Sequence, residues 1–192
     1  PAVRHGALEH ALAAIDLAVA LDAPIVVLHA SREPIEPGER SRRMDWARES
    51  LARIVARCAE TQRRGAVELL PRSCLGNTVD DLFRLADGFD PAELGFCLDT
   101  NHLMNRPETL GDVVRALGNR LATLHISDYD GVDEKHWLPG RGVIDWPGFM
   151  QALDDIAYDG PFNFECAMDG ETPEARLRSL EAAFDRLTTP TP

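Results

Sequence analysis

LGFCLDTNHLM (94–104), then the helical pattern TLGDVVRALGNR (109–120), then LATLHISD (121–128): the middle of this chain reads apolar run, helix, apolar run. Each apolar run ends in groups that bind a cation or move a proton, Asp99 and His102 after the first, His125 and Asp128 after the second. In a βαβ unit the two parallel strands point the same way, so their C-terminal ends share one face of the sheet. These side chains are therefore expected to converge on one spot.

The pattern repeats outward from this unit. Upstream, ALEHALAAIDLAVAL (7–21) has helical spacing and many alanines, and PIVVLHA (24–30) is a short β-branched run of the kind buried on both faces of a parallel sheet. His29 stands at its C-terminal end, and the Pro- and Gly-containing SREPIEPGER (31–40) is a loop on the same side. An amphipathic helix is expected over 41–64 and a strand over AVELLP (66–71). That strand contains Glu68, and a buried carboxylate is expensive unless it meets a metal, a partner or a proton. Thr78 is placed to cap the helix VDDLFRLADGF (79–89), which Asp90-Pro91 closes.

Downstream, the loop YDGVDEKHWLPGRGVID (129–145) is too long, and too rich in a histidine, a tryptophan and G-R-G, to be slack. Asp145-Trp146-Pro147 opens the next helix, and PFNFECAM (161–168) reads as a buried strand containing Glu165 and Cys166. A last helix starts with Thr172 as N-cap and Pro173 in its first turn, and the tail TTPTP (188–192) is expected to fray. Strand and helix alternate five times, which specifies a parallel α/β architecture in a single domain over 1–192. No strand is followed by GxGxxG or a P-loop, so nothing supports a dinucleotide or NTP fold.

The bulk numbers agree. The 192 residues, 44% hydrophobic and 27% charged, suffice for one core. A net charge of -12 disfavours a nucleic-acid surface. Cys58, Cys74, Cys97 and Cys166 stand singly, without metal-type CxxC spacing, and read as reduced core residues of a cytoplasmic protein. There is no run long enough for a membrane span and no signal-peptide pattern.

Glu68, Asp99, His125 and Glu165 each fall at or near the C-terminal end of a different expected strand. One such residue is commonly a satisfied structural group. Three carboxylates at one end of a sheet repel one another, however, and with an imidazole they suit a fairly hard dication, Mn²⁺ or Mg²⁺, with Zn²⁺ or Co²⁺ as alternatives. His102 either orients substrate, ligates a second metal or caps the next helix. His136 and Arg141 flank Leu138-Pro139-Gly140; Arg141 offers a fork for hydroxyl or phosphate oxygens, and the alternative is a solvated loop. Asp128 is a histidine's partner or a turn former. A lone strand-end histidine such as His29 is more often packed than ligating, and His5 and His10 have no role.

GFCLDTNH, LATLHISDYDG, HWLPGRGVIDWPGFMQAL and YDGPFNFE together resemble the xylose isomerase-like TIM-barrel superfamily. This group includes sugar isomerases and epimerases related to tagatose epimerase, inosose dehydratase, and endonucleases of the endonuclease IV type. The likeness runs from about Ala13 to Leu187, and VELLP resembles the family's strand-five E-N-L-P with leucine in place of asparagine. The resemblance implies a (β/α)8-type barrel of which strands four to eight are present and the first three are absent. Five strands leave two open edges, so further residues or another subunit of a homo-oligomer are expected to supply the missing wall.

The resemblance further implies that Glu68, Asp99, His125 and Glu165 bind one divalent metal ion, and that His102, His136 and Arg141 bind a sugar-like substrate. Glu68 and Glu165 then act as the acid and base that remove and return a carbon-bound proton through an enediolate. Expulsion of hydroxide from the same intermediate would make the protein an inosose-type dehydratase. Cleavage at abasic DNA is a further alternative, weakened because Glu134 stands where the endonucleases have a metal-binding aspartate; an inactive, truncated barrel is the last.

Overall fold

The computed structural model describes residues 2–188. Strands β1 (Ile25–Leu28), β2 (Arg64–Glu68), β3 (Leu94–Asp99), β4 (Leu121–Ile126) and β5 (Phe162–Phe164) form one sheet in the order β1-β2-β3-β4-β5. The β1/β2, β2/β3 and β4/β5 pairs are parallel. Helices α1 (Ala2–Ala20), α2 (Arg40–Glu60), α3 (Val79–Leu85), α4 (Leu110–Leu117), α5 (Trp146–Asp155) and α6 (Pro173–Thr188) supply the alternation expected from the sequence. The chain packs as two compact units, one running to Cys97 and taking in Asn119–Thr123, the other comprising Leu98–Gly118 and the residues from Leu124 onward. The division falls within β3 and β4.

In the first unit, α2 buries Met44, Ala47, Leu51, Ile54, Val55 and Cys58, one stripe at three- and four-residue spacing. The helix stops at Glu60, short of the expected Arg64. The Thr61 hydroxyl donates to the carbonyls of Arg57 (2.9 Å) and Cys58 (3.1 Å), and Gln62 turns left-handed with φ 57°. Arg64 therefore begins β2, and the strand ends at Glu68. Leu69 and Leu70, expected within it, are buried in the exit turn, where Leu70 N–H donates to the Gly76 carbonyl at 3.2 Å. The Thr78 hydroxyl accepts the Asp81 N–H and caps α3 as expected, though α3 ends at Leu85 rather than Phe89.

The strands of this unit meet through a layer of small residues, Ala66, Cys97 and Ala122. Gly95 is obligatory there, because a Cβ on it would lie 2.7 Å from both the Ala122 Cβ and the Arg120 carbonyl oxygen. Ile25 and Val27 on β1 are only half-buried, contrary to the expectation of burial on both faces. Among the described residues β1 is terminal in the sheet order and has a strand on one side only. α1 starts at Ala2 rather than at residue 7, its first turn tied to α2 by Arg4 donating to Glu49 (2.6 Å) and Ser50 (3.1 Å). Arg40, opening α2, donates to the carbonyls of Ser73 (2.9 Å) and Cys74 (3.1 Å), to Asn77 Oδ1 (2.6 Å) and to the Asp81 carboxylate.

The second unit packs Leu98, Leu103, Val114, Leu124, Ile126, Tyr129, Phe149 and Leu153 into its core. Thr172 caps α6 through the Ala175 N–H, as expected, and Asp145 accepts the Gly148 N–H and caps α5. β5 is much shorter than the apolar run PFNFECAM; Cys166 lies outside it and is half-exposed rather than a core residue. Among the described residues β5, like β1, stands at an end of the sheet order. The tail expected to fray lies, beyond Thr188, outside the described residues, and Thr188 itself closes α6. Among the described residues no helix is long and apolar enough to cross a membrane.

Candidate functional site

Every acid or histidine singled out as a ligand stands within one residue of a strand's C-terminal end: Glu68 ends β2, Asp99 ends β3, His125 is next to last in β4, and Glu165 follows β5 directly. Within the second unit three of them come together. Asp99, His125 and Glu165 each offer a ligand atom, and these atoms all lie within 4.8 Å of one another. His125 Nδ1 is 2.7 Å from Glu165 Oε2. Oxygen and nitrogen donors about 2.1 Å from an octahedral ion are about 3 Å apart when adjacent and about 4.2 Å when opposite, so this spacing fits co-ligands of one cation.

Local structure holds each group. Asp99, 1% exposed, accepts the Asn101 N–H through Oδ1 at 2.7 Å, an Asx turn written in the sequence as D-T-N. Its Oδ2 lies 3.4 Å from His102 Nε2, and His102 is in turn 4.0 Å from a Glu134 oxygen. The exits of β3 and β4 are strapped together: Thr100 N–H donates to the His125 carbonyl (3.1 Å), its hydroxyl donates to the Ser127 carbonyl (2.6 Å), and Asn101 Nδ2 donates to Ser127 Oγ (2.9 Å). Glu165 is held by its backbone, whose N–H donates to the Ile126 carbonyl at 3.0 Å, while its side chain remains 51% exposed.

The long loop brings His136 to this place. His136 adopts φ 48°, and its Nδ1 donates to the Glu165 carbonyl at 3.0 Å, since a carbonyl can only accept. That bond leaves Nε2 as the nitrogen with the lone pair in the neutral ring. His136, Phe164, Glu165 and Cys166 line a shallow depression. Arg141 is turned toward Asp169, with Nη1 2.9 Å from Oδ1 in a two-pronged pair. Asp128, fully buried, accepts N–H groups from Tyr129 (2.9 Å), Gly140 (2.9 Å) and Trp146 Nε1 (3.0 Å), and its backbone pairs with Trp137, so it organises the loop. The Tyr129 phenol beside it donates to the Met104 carbonyl at 2.6 Å, and burial pushes its pKa up to about 12.

In the first unit Glu68 is 2% exposed, and its Oε2 lies 3.0 Å from Nε2 of His29. His29, one residue past β1 and beside the strand that carries Glu68, is therefore a partner of that acid and not merely packed. The approach of Glu134 to His102 follows from the loop's path rather than from any motif.

The chain belongs to the Xylose isomerase-like TIM barrel family, which it matches over residues 1–187. It presents five parallel strands of a barrel type that has eight when complete. It is 33% identical over 159 residues to the uncharacterized protein y4fM of Sinorhizobium fredii, a match spanning 81% of this chain and 51% of that one. It is 31% identical over 120 residues to a D-psicose 3-epimerase of Ruminiclostridium cellulolyticum, covering 60% of this chain and 39% of the epimerase. The chain thus spans about half the length, or less, of these curated relatives. In fold it is similar to the crystal structure of D-psicose 3-epimerase with D-tagatose from Clostridium cellulolyticum H10, with a TM-score of 0.80, 22% identity, and coverage of 97% of this chain and 71% of that one.

Proposed function

We propose that the protein is a divalent-metal-dependent isomerase or epimerase of a sugar or sugar phosphate, working by proton transfer at the carbon beside a carbonyl. The observation that carries this reading is the Asp99, His125 and Glu165 cluster, whose donor atoms have the spacing of ligands to one ion. Two carboxylates and an imidazole favour Mn²⁺ or Mg²⁺, with Zn²⁺ or Co²⁺ as alternatives. Similarity to a D-psicose 3-epimerase supports the sugar as substrate class.

When bound, the dication supplies a Lewis acid that polarises the substrate's carbonyl oxygen. Asp99 and His125, fixed by the Thr100 and Asn101 bonds, hold the ion. Glu68 is assigned as fourth ligand by the family resemblance. Glu165 and Glu68 are assigned the removal and return of the carbon-bound proton. His102 and His136 bind hydroxyls, His136 through Nε2, and Arg141 does so after exchanging its Asp169 partner.

The test is a panel of ketoses, ketose phosphates and inososes incubated with the Mn²⁺-loaded protein in D₂O and followed by NMR and mass. Wild type is expected to exchange a carbon-bound proton, and Glu165→Gln to slow that exchange by about 10²- to 10⁴-fold with an unchanged circular dichroism spectrum. Exchange retained in Glu165→Gln removes this residue from its role, and a product lighter by one water reassigns the reaction as a dehydration.

A further inference from the structure

His29 stands where the β ladder alone would put a partner for Glu68. The last registered pair of β1 and β2 is Leu28 with Val67, so His29 and Glu68 are the next positions on each strand. Neighbouring strands are about 4.8 Å apart, and side chains at matched positions leave the same face. The contact between His29 Nε2 and Glu68 Oε2, 3.0 Å, is thus built into the sheet.

The two partners differ sharply in environment. Glu68 is 2% exposed, whereas the His29 side chain is 60% exposed. A buried carboxylate needs donors, and a carboxylate oxygen accepts, so the hydrogen lies on Nε2. The segment that follows His29 is also pinned. Leu75 N–H donates to Ser31 Oγ at 2.9 Å, Ile35 N–H donates to Ser73 Oγ at 3.1 Å, and Arg40 ties the start of α2 to the same 73–77 segment. The ring is therefore presented to the acid from a backbone held on both sides.

We propose that His29 is a positioning residue: its Nε2–H holds Glu68 through Oε2 and fixes the plane in which that carboxylate meets a metal ion and a substrate proton. This rests on the reading of Glu68 as ligand and proton carrier. Hydrogen bonds from outside the ligand set orient a ligand, and their loss costs about 10- to 100-fold in metal affinity or activity. An amide N–H in place of the imidazole preserves the hold, while a methyl group does not.

The experiment compares wild type, His29→Ala and His29→Gln by Mn²⁺ titration, and separately compares the ¹⁵N ring signals of His29 in metal-free wild type and Glu68→Gln. His29→Ala is expected to weaken Mn²⁺ binding by about 10- to 100-fold, with His29→Gln within a few fold of wild type and all three sharing one circular dichroism spectrum. Unweakened binding in His29→Ala overturns the proposal, and so does His29→Gln binding as poorly as His29→Ala, which would make the ring itself the ligand. The NMR arm needs no metal: the His29 ring signals are expected to move in Glu68→Gln, and unmoved signals overturn the contact. A wild type that binds no Mn²⁺ refutes the metal reading on its own and leaves the positioning of Glu68 to be decided by the NMR arm.

Discussion

β3 and β5 end in acids of the same chemical type and are otherwise opposites. β3 has six residues, all buried, and delivers Asp99 into an environment where it is 1% exposed. β5 has three, none fully buried, and Glu165 follows it with half of its side chain in water. Among the described residues β3 has a paired strand on each side and β5 on one, which matches their difference in burial.

Stability offers the largest test of this contrast. Phe96 on β3 is fully buried and meets Phe83 edge-on at 5.3 Å, so Phe96→Ala is expected to lower the unfolding free energy by about 4 kcal/mol. Phe164 on β5 is half-buried against Phe184, and Phe164→Ala should cost about 1 kcal/mol in urea titrations. Equal losses would erase the distinction between the strands. Metal retention gives the next: Asp99→Asn is expected to weaken Mn²⁺ binding by at least about 100-fold, roughly 2.7 kcal/mol, and Glu165→Gln by about tenfold. A reversed order would make Glu165 the anchoring ligand.

The smallest effect concerns Tyr129, whose phenol is raised from an ordinary value near 10 to about 12 by burial. Protonation of the folded form is favoured relative to the unfolded chain. The stability this contributes is present below pH 10 and is lost as the pH rises from 10 toward 12. Denaturant midpoints of wild type should fall across that window, and those of Tyr129→Phe should fall less.

Much of this was legible in the sequence, for reasons that can be assigned. Caps at Thr78 and Thr172 are local, satisfied within three residues, and so read directly from residue type. The positions of Asp99 and His125 followed from apolar runs whose lengths matched their strands. The ends of β2 and β5 did not, because an apolar run records burial and not ladder pairing: Leu69 and Leu70 are buried in a turn, and PFNFECAM leaves the ladder after three residues. Whether a strand is terminal depends on its neighbours, which no local pattern records. The same holds for His29 against Glu68, a matter of register between segments 39 residues apart.

Arg40 brings the loops after β1 and β2 under one control. A single planar guanidinium donates to two carbonyls, an amide oxygen and a carboxylate across the 73–81 segment, beside the Ser31 and Ser73 bonds that join the same two loops. Lysine, a point charge without the fork, could not hold four acceptors in those directions. Residues 31–39 and 71–78 are therefore best varied together with Arg40 retained, as one graft.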